Sequence, residues 1–85
     1  MEHLATLDLT AAGTYKFAIP KDGIIRGVYS DVAVTIGYED NGTIGTLKRN
    51  VTEWEPMGGG FMPAPIAYLV ITATAASKIA IRYEI

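Results

Sequence analysis

The chain has no cysteine among its 85 residues, which excludes disulfides, thiolate metal sites and a cysteine nucleophile. The fold must therefore be held together by the packing of side chains. Charged residues are also scarce, at 19% of the chain against 49% hydrophobic residues, so the composition is that of a globular protein rather than a disordered one. At this length we expect one domain spanning residues 1–85.

Clustered basic residues are missing as well. The chain carries 7 Lys and Arg against 9 Asp and Glu, for a net charge of −2, and its one adjacent basic pair is Lys48 with Arg49. A nucleic-acid surface needs many clustered cations, so we do not expect nucleic acid as a partner.

The longest apolar run, residues 66–76, is about half of the ~20 residues that a membrane span needs, so a membrane partner is not expected either. The first residues do not have the pattern of a secretory signal, and the chain is expected to stay where it is made.

The inventory for catalysis is equally poor. A Ser-His-Asp arrangement would have to combine the single histidine, His3, with Ser30 or Ser77. Carboxylates are available, but a domain this small has little room for a substrate cleft between two of them. We therefore expect no enzymatic activity and neither a metal nor another cofactor.

Apolar residues alternate with polar or small ones through most of the chain, a period of two that is typical of half-buried strands. The strongest alternation covers residues 15–19, 32–38 and 79–85. Shorter or more uniformly apolar stretches that we also interpret as strands are 7–9, 24–29 and 67–73. No segment has a convincing helical pattern, and no helix longer than about two turns is expected.

Turn residues separate these segments. Asn41-Gly42 is the strongest hairpin signal, because a type I′ turn needs positive φ at both central positions, and it predicts that 32–38 pairs with a strand over 43–48. A second turn over 75–77 is expected to join the last two strands. Short strands at this spacing predict an all-β fold, an antiparallel β-sandwich or jelly-roll-like small barrel of about seven or eight strands. The predicted core consists of Tyr15, Phe17, Ile19, Val34, Ile36, Leu69, Ile71, Ile79, Ile81 and Tyr83.

Residues 55–65 interrupt this pattern with three prolines and three glycines, a composition that excludes a central strand. The segment nevertheless carries Met57, Phe61 and Met62, which need apolar cover. Either the segment folds back as a lid on its own core, or it contacts a partner. We predict the second, with Met57, Phe61 and Met62 as apolar anchors and Trp54 at the base of the site.

Trp54 itself allows two interpretations. It could pack in the core or an interface, or it could stack on a sugar in a small carbohydrate- or ligand-binding module. A solvent-facing indole would favour the carbohydrate module. A buried one would favour a protein that assembles with others.

Two segments of the chain resemble the small β-sandwich virion proteins of tailed phages. These are GTYKFAIP at residues 13–20 and YLVITATAASKIAIRYEI at residues 68–85, with the Asn-Gly hairpin between them, so the resemblance extends over residues 13–85. That group includes capsid decoration (cement) proteins. The resemblance implies a structural virion protein, made in the cytoplasm of a bacterial host, that binds the phage head and stabilises contacts between capsomers. It also implies a trimer that docks on the major capsid protein or another virion protein.

Independent support for self-association comes from the composition. A short chain has too little interior for so many apolar residues, and an oligomer supplies additional buried surface. We therefore expect a homo-oligomer, for which the number three follows from the resemblance alone.

Overall fold

The protein is described here from a computed structural model, which covers residues 1–20, 22–56 and 68–85. The described residues contain no helix, and strands make up 78% of them. None of them belongs to a helix with the length and hydropathy needed to cross a membrane. The six strands are β1 (Glu2–Leu9), β2 (Gly13–Ala18), β3 (Ile24–Asp40), β4 (Thr43–Trp54), β5 (Tyr68–Ala73) and β6 (Ser77–Glu84). All strand pairs are antiparallel.

The predicted Asn-Gly hairpin is confirmed. Asp40 pairs with Thr43, so the loop between β3 and β4 consists of Asn41 and Gly42 alone. Their φ angles are 50° and 87°, as a type I′ turn requires. An asparagine tolerates this left-handed conformation and a glycine adopts it without steric cost, so these two residues fix the register of the longest strand pair.

β3 is the organising strand because it is long enough to serve two groups of neighbours. Its first part, 24–30, pairs with β6, and its second part, 34–39, pairs with β5 along the same edge. β4 follows both parts along the opposite edge, with register shifts in the region between them. The strand order is β1-β6-β3-β5-β2, with β4 attached to β3.

The sheet bends where β3 changes partners. Four segments of the chain cross from one part of the sheet to the other, and all of them cross at this bend. They are 10–12, 30–33, 50–52 and 74–76. The predicted turn over 75–77 does join the last two strands, but β5 and β6 lie in different parts of the sheet and do not pair with each other. The result is a sheet curled into a half-barrel. Side chains from its two parts meet inside, where the rings of Phe17 and Tyr83 lie 5.4 Å apart.

Polar side chains stabilise the bend in β3. The Ser30 hydroxyl donates to the carbonyl of Val32 at 2.6 Å and accepts from the amide of the same residue at 3.3 Å. One residue on, Oδ1 of Asp31 accepts the backbone N–H of Lys78 at 2.8 Å. The Asp31 carboxylate thus continues the β3–β6 ladder by one hydrogen bond at the point where the β3 backbone turns away.

We expect Asp31→Ala to lower the free energy of unfolding by about 1 kcal/mol, the typical net value of one hydrogen bond. In a domain of this size that corresponds to a fall in melting temperature of roughly 4–8 °C, which thermal denaturation followed by circular dichroism would measure. Asp31→Asn keeps an acceptor oxygen and should lose clearly less. Equal melting temperatures for the alanine variant and the parent protein would show that this hydrogen bond does not stabilise the bend.

The core lies on the concave side of the half-barrel. Six of the ten predicted core residues are buried there: Val34, Ile36, Leu69, Ile71, Ile79 and Ile81. The other four, Tyr15, Phe17, Ile19 and Tyr83, are half-buried and pack against this cluster. Buried members that the sequence analysis did not predict are Leu9, Ile25, Val28 and Ala73.

The predicted number of strands was wrong for the part of the chain that the structure describes, which has six rather than seven or eight. Segments 24–29 and 32–38, predicted as two strands, form one continuous strand with a bend. The predicted strand over 43–48 likewise continues to Trp54.

Candidate partner-binding site

Trp54 is the described member of the predicted partner-binding site. It ends β4 and lies opposite Val28 of β3, and its side chain is half-buried and packs against the core cluster. The other predicted members, Met57, Phe61 and Met62, fall outside the described residues. The indole thus contributes to the core of the half-barrel.

A network of hydrogen bonds and ion pairs lies beside Trp54. The Glu55 carboxylate accepts from the Tyr29 hydroxyl at 3.3 Å and from a terminal guanidinium nitrogen of Arg82 at 3.4 Å. Nε of Arg82 lies 3.5 Å from the Glu2 carboxylate. The network therefore connects the residue that follows β4 with β3, β6 and β1, and Arg82 is the cation shared by the two carboxylates.

The environment of Tyr29 favours its neutral form. Burial raises the pKa of the Tyr29 hydroxyl, and the carboxylates of Glu55 and Glu53 act in the same direction, while the charge of Arg82 opposes them. The hydroxyl therefore remains a hydrogen-bond donor across the physiological pH range. On the same part of the sheet, the hydrogen bond and charge of Arg26 lower the pKa of Glu84.

Apolar side chains are exposed on the convex side of the half-barrel. Ile44 and Tyr68 both lie opposite Glu39 in the sheet and are 65% and 39% exposed. Lys16 borders them: its ammonium nitrogen is 2.7 Å from the Glu39 carboxylate and 5.8 Å from the centre of the Tyr68 ring. Leu4, 63% exposed, lies on the other part of the sheet. We call Ile44, Tyr68 and Leu4 the convex apolar residues.

The residues considered for catalysis are held in other contacts. The His3 ring stacks on Tyr83, with centroids 5.3 Å apart. The Ser77 hydroxyl donates to the carbonyl of Ala75, and that of Ser30 to the adjacent backbone. Within the described ranges, no three His, Asp or Glu side chains are grouped closely enough to hold a metal ion.

Sequence reasoning placed Trp54 between two glutamates but did not find the Tyr29–Glu55–Arg82 contacts. These residues are far apart in the chain, and no local motif marks them. The pairing of β3 with β6 puts Tyr29 and Arg82 on one side of the sheet, and this pairing is not readable from either segment alone.

Comparisons with known proteins give no relative for this chain: no family model, no curated protein and no solved structure matches it.

Proposed function

We propose that this protein is a structural virion subunit, a capsid decoration protein that self-associates and binds the phage head surface. The observation that carries the proposal is the position of Trp54. Its half-buried indole packs against the core, which favours an assembling protein over a module that stacks a sugar on Trp54. We also propose that the curled half-barrel is a form of the β-sandwich or jelly-roll-like fold that the resemblance to small virion proteins implies.

The convex apolar residues support self-association. A branched or aromatic side chain that remains in water gains free energy by burial, about 25 cal/mol per Å² of apolar area removed from solvent. Ile44 and Tyr68 lie on one row of the sheet, so a single neighbouring subunit could cover both. We propose a closed cyclic homo-oligomer, with three subunits as the resemblance implies.

The edges of the sheet also suit association. Among the described residues, β1 and β2 each have a strand neighbour on one side only. β4 is an edge strand too, but its register shifts, together with Lys48 and Arg49, are features that discourage pairing with another chain. The edges of β1 and β2 are therefore the better candidates for contacts between subunits.

The head surface is proposed to contact residues 54–65, through Trp54, Met57, Phe61 and Met62. Several copies on one oligomer would engage a repeating lattice together, so a weak single contact becomes a firm one. This assigns the protein to the virion, after synthesis in the bacterial cytoplasm, with the major capsid protein or another virion protein as its partner.

The test combines native mass with binding to capsids. Light scattering should give a multiple of the 9.1 kDa chain mass at micromolar concentration, and the protein should co-sediment with phage heads that lack their decoration protein. Replacing both Phe61 and Met62 with serine should weaken this co-sedimentation by at least tenfold, about 1.4 kcal/mol. The melting temperature of the isolated protein should change little.

A separate variant, Ile44→Ser, removes an exposed apolar side chain outside residues 54–65. It should lower the native mass, and it should weaken binding to capsids only through the loss of multivalent contacts. A monomer that does not co-sediment would contradict the proposal. A Phe61/Met62 variant that melts many degrees lower while binding normally would show that the segment is a lid on its own core.

A further inference from the structure

A pocket of about 410 Å³ opens beside Tyr29, where β1, β6 and β3 run side by side. Its size falls in the range of pockets that bind small molecules. Its described lining includes neither Trp54 nor Glu55, although the Tyr29 hydroxyl donates to Glu55, and the pocket has no part in the proposed binding of the phage head. Six lining residues matter for its chemistry: Thr6, Asp8, Tyr29, Asp31, Lys78 and Ala80.

The pocket exists because a small residue lies between larger ones. Ala80 of β6 is opposite Thr6 on one neighbouring strand and Tyr29 on the other. Residues directly opposite one another in a sheet point to the same face, so the short Ala80 side chain forms a floor between two walls. One row further along, Lys78 lies opposite Asp8 and close to Asp31.

The Tyr29 ring is fixed in place at this wall. A Cβ atom added at Gly27 would lie 2.5 Å from the Tyr29 hydroxyl oxygen, so the phenol end of the ring rests directly on the glycine backbone. The same hydroxyl donates to Glu55 at 3.3 Å. The half-exposed Tyr29 ring is thus fixed by the Gly27 backbone beneath it and by the hydrogen bond of its hydroxyl. A ring fixed in this way offers an ordered apolar surface to a ligand.

The polar groups of the pocket include both acceptors and donors. Asp31 uses Oδ1 to accept the Lys78 amide, which leaves Oδ2 available. Neither the Asp8 carboxylate nor the Lys78 ammonium group has an ion-pair partner within the described ranges. The Thr6 hydroxyl can donate or accept.

This combination distinguishes between classes of ligand. Two carboxylates would repel a phosphate or another anion. A lone basic side chain would be attracted by the carboxylates but repelled by Lys78. A neutral polyhydroxylated ligand fits both, because each hydroxyl can donate to a carboxylate while accepting from the ammonium group or Thr6, and its C–H face can pack on the Tyr29 ring.

We propose that this pocket binds a neutral pyranose sugar. Tyr29 provides the apolar surface, Asp8 and Asp31 accept hydrogen bonds from sugar hydroxyls, and Lys78 donates one. A pocket this open covers only part of a sugar ring, so a single site binds weakly, with a Kd of roughly millimolar order. An oligomer that presents several copies would bind a polymeric sugar more tightly than a single chain does.

The proposal does not depend on a virion role, and its test is made on the isolated protein. The probes are glucose, galactose, mannose and N-acetylglucosamine, each as the monosaccharide and as a linear trisaccharide, titrated into ¹⁵N-labelled protein up to about 20 mM. At least one should shift the backbone amide resonances of Thr6, Ser30, Lys78 and Ala80 in a saturable way. Asp8→Asn and Tyr29→Ala should each weaken that binding at least fivefold.

Asp40→Asn is the control, because it removes a carboxylate at the far end of β3 and should leave the affinity unchanged. Asp8 is exposed and is not part of the core, so its variant tests the pocket even if Tyr29→Ala fails to fold. Three results would overturn the proposal: no shift with any sugar, shifts centred on Trp54 instead, or binding that both pocket variants retain. Binding of n-butylamine without binding of any sugar would also overturn it and would identify a site for a basic side chain.

Discussion

Replacing Ile81 with aspartate is expected to leave the protein unfolded at 25 °C. Ile81 has no exposed surface and lies in the middle of β6, between Ala5 of β1 and Val28 of β3. A carboxylate placed there would have no partner, at a cost of several kcal/mol, and the burial of the isoleucine side chain, about 1.5–3 kcal/mol, would be lost as well. The total stability of a domain this small is about 5–10 kcal/mol, which the two losses together approach or exceed.

Circular dichroism and the dispersion of amide resonances would measure this result. The matched control is Ile44→Asp, the same substitution at a strand position that is 65% exposed in the single chain, where the fold of that chain is expected to lose about 1 kcal/mol or less. Val34→Asp tests the other part of the sheet and should behave like the Ile81 variant. If Ile81→Asp remained folded with native-like resonances, the side chains of β6 would have to face the opposite way from the structure described here.

These core positions could be predicted because alternation carries the necessary information. A strand with one buried face repeats every two residues, so Ile79 and Ile81, or Val34 and Ile36, are recognised from sequence alone. Asn41-Gly42 was predictable for a similar reason, since its turn depends on the backbone preferences of two adjacent residues.

The bend in the sheet could not be predicted in the same way. A boundary between 24–29 and 32–38 was expected, yet the hydrogen bonds of Ser30 and Asp31 carry the chain through the bend without ending the strand. The partner of Asp31 is the amide of Lys78, which is distant in sequence, and no local pattern reports it. For that reason the sequence suggested an additional strand.

A register shift near the start of β3 explains two of the core residues that were missed. Ile25 and Val28 are both buried although they are three residues apart, because the register of β3 shifts between Ile25 and Gly27. A strict period of two cannot place both on one face. The pocket beside Tyr29 was missed for a related reason, since it depends on the cross-strand positions of Thr6, Ala80 and Tyr29.

Gly37→Ala is expected to destabilise the protein by about 2–3 kcal/mol, a large effect for the addition of one methyl group. Gly37 is buried in the second part of β3, where Thr46 of β4 lies opposite it on one side and Val70 of β5 on the other. A Cβ atom at this position would lie 2.5 Å from the backbone carbonyl oxygen of Gly45. Because that oxygen belongs to the backbone of a paired strand, it can move away only if the β3–β4 ladder shifts.

Gly13→Ala is the matched control, since its Cβ would meet the Tyr15 ring at 3.5 Å, an ordinary contact. Its stability should be unchanged or rise by up to about 1 kcal/mol, because alanine lowers the entropy of the unfolded chain. Urea denaturation would compare the two variants, and hydrogen exchange at the amides of β3 and β4 would show where the Gly37 variant opens. The large loss of stability expected at Gly37 results from its close approach to a second backbone, which Gly13 does not have. Similar denaturation midpoints for the two variants would refute this explanation.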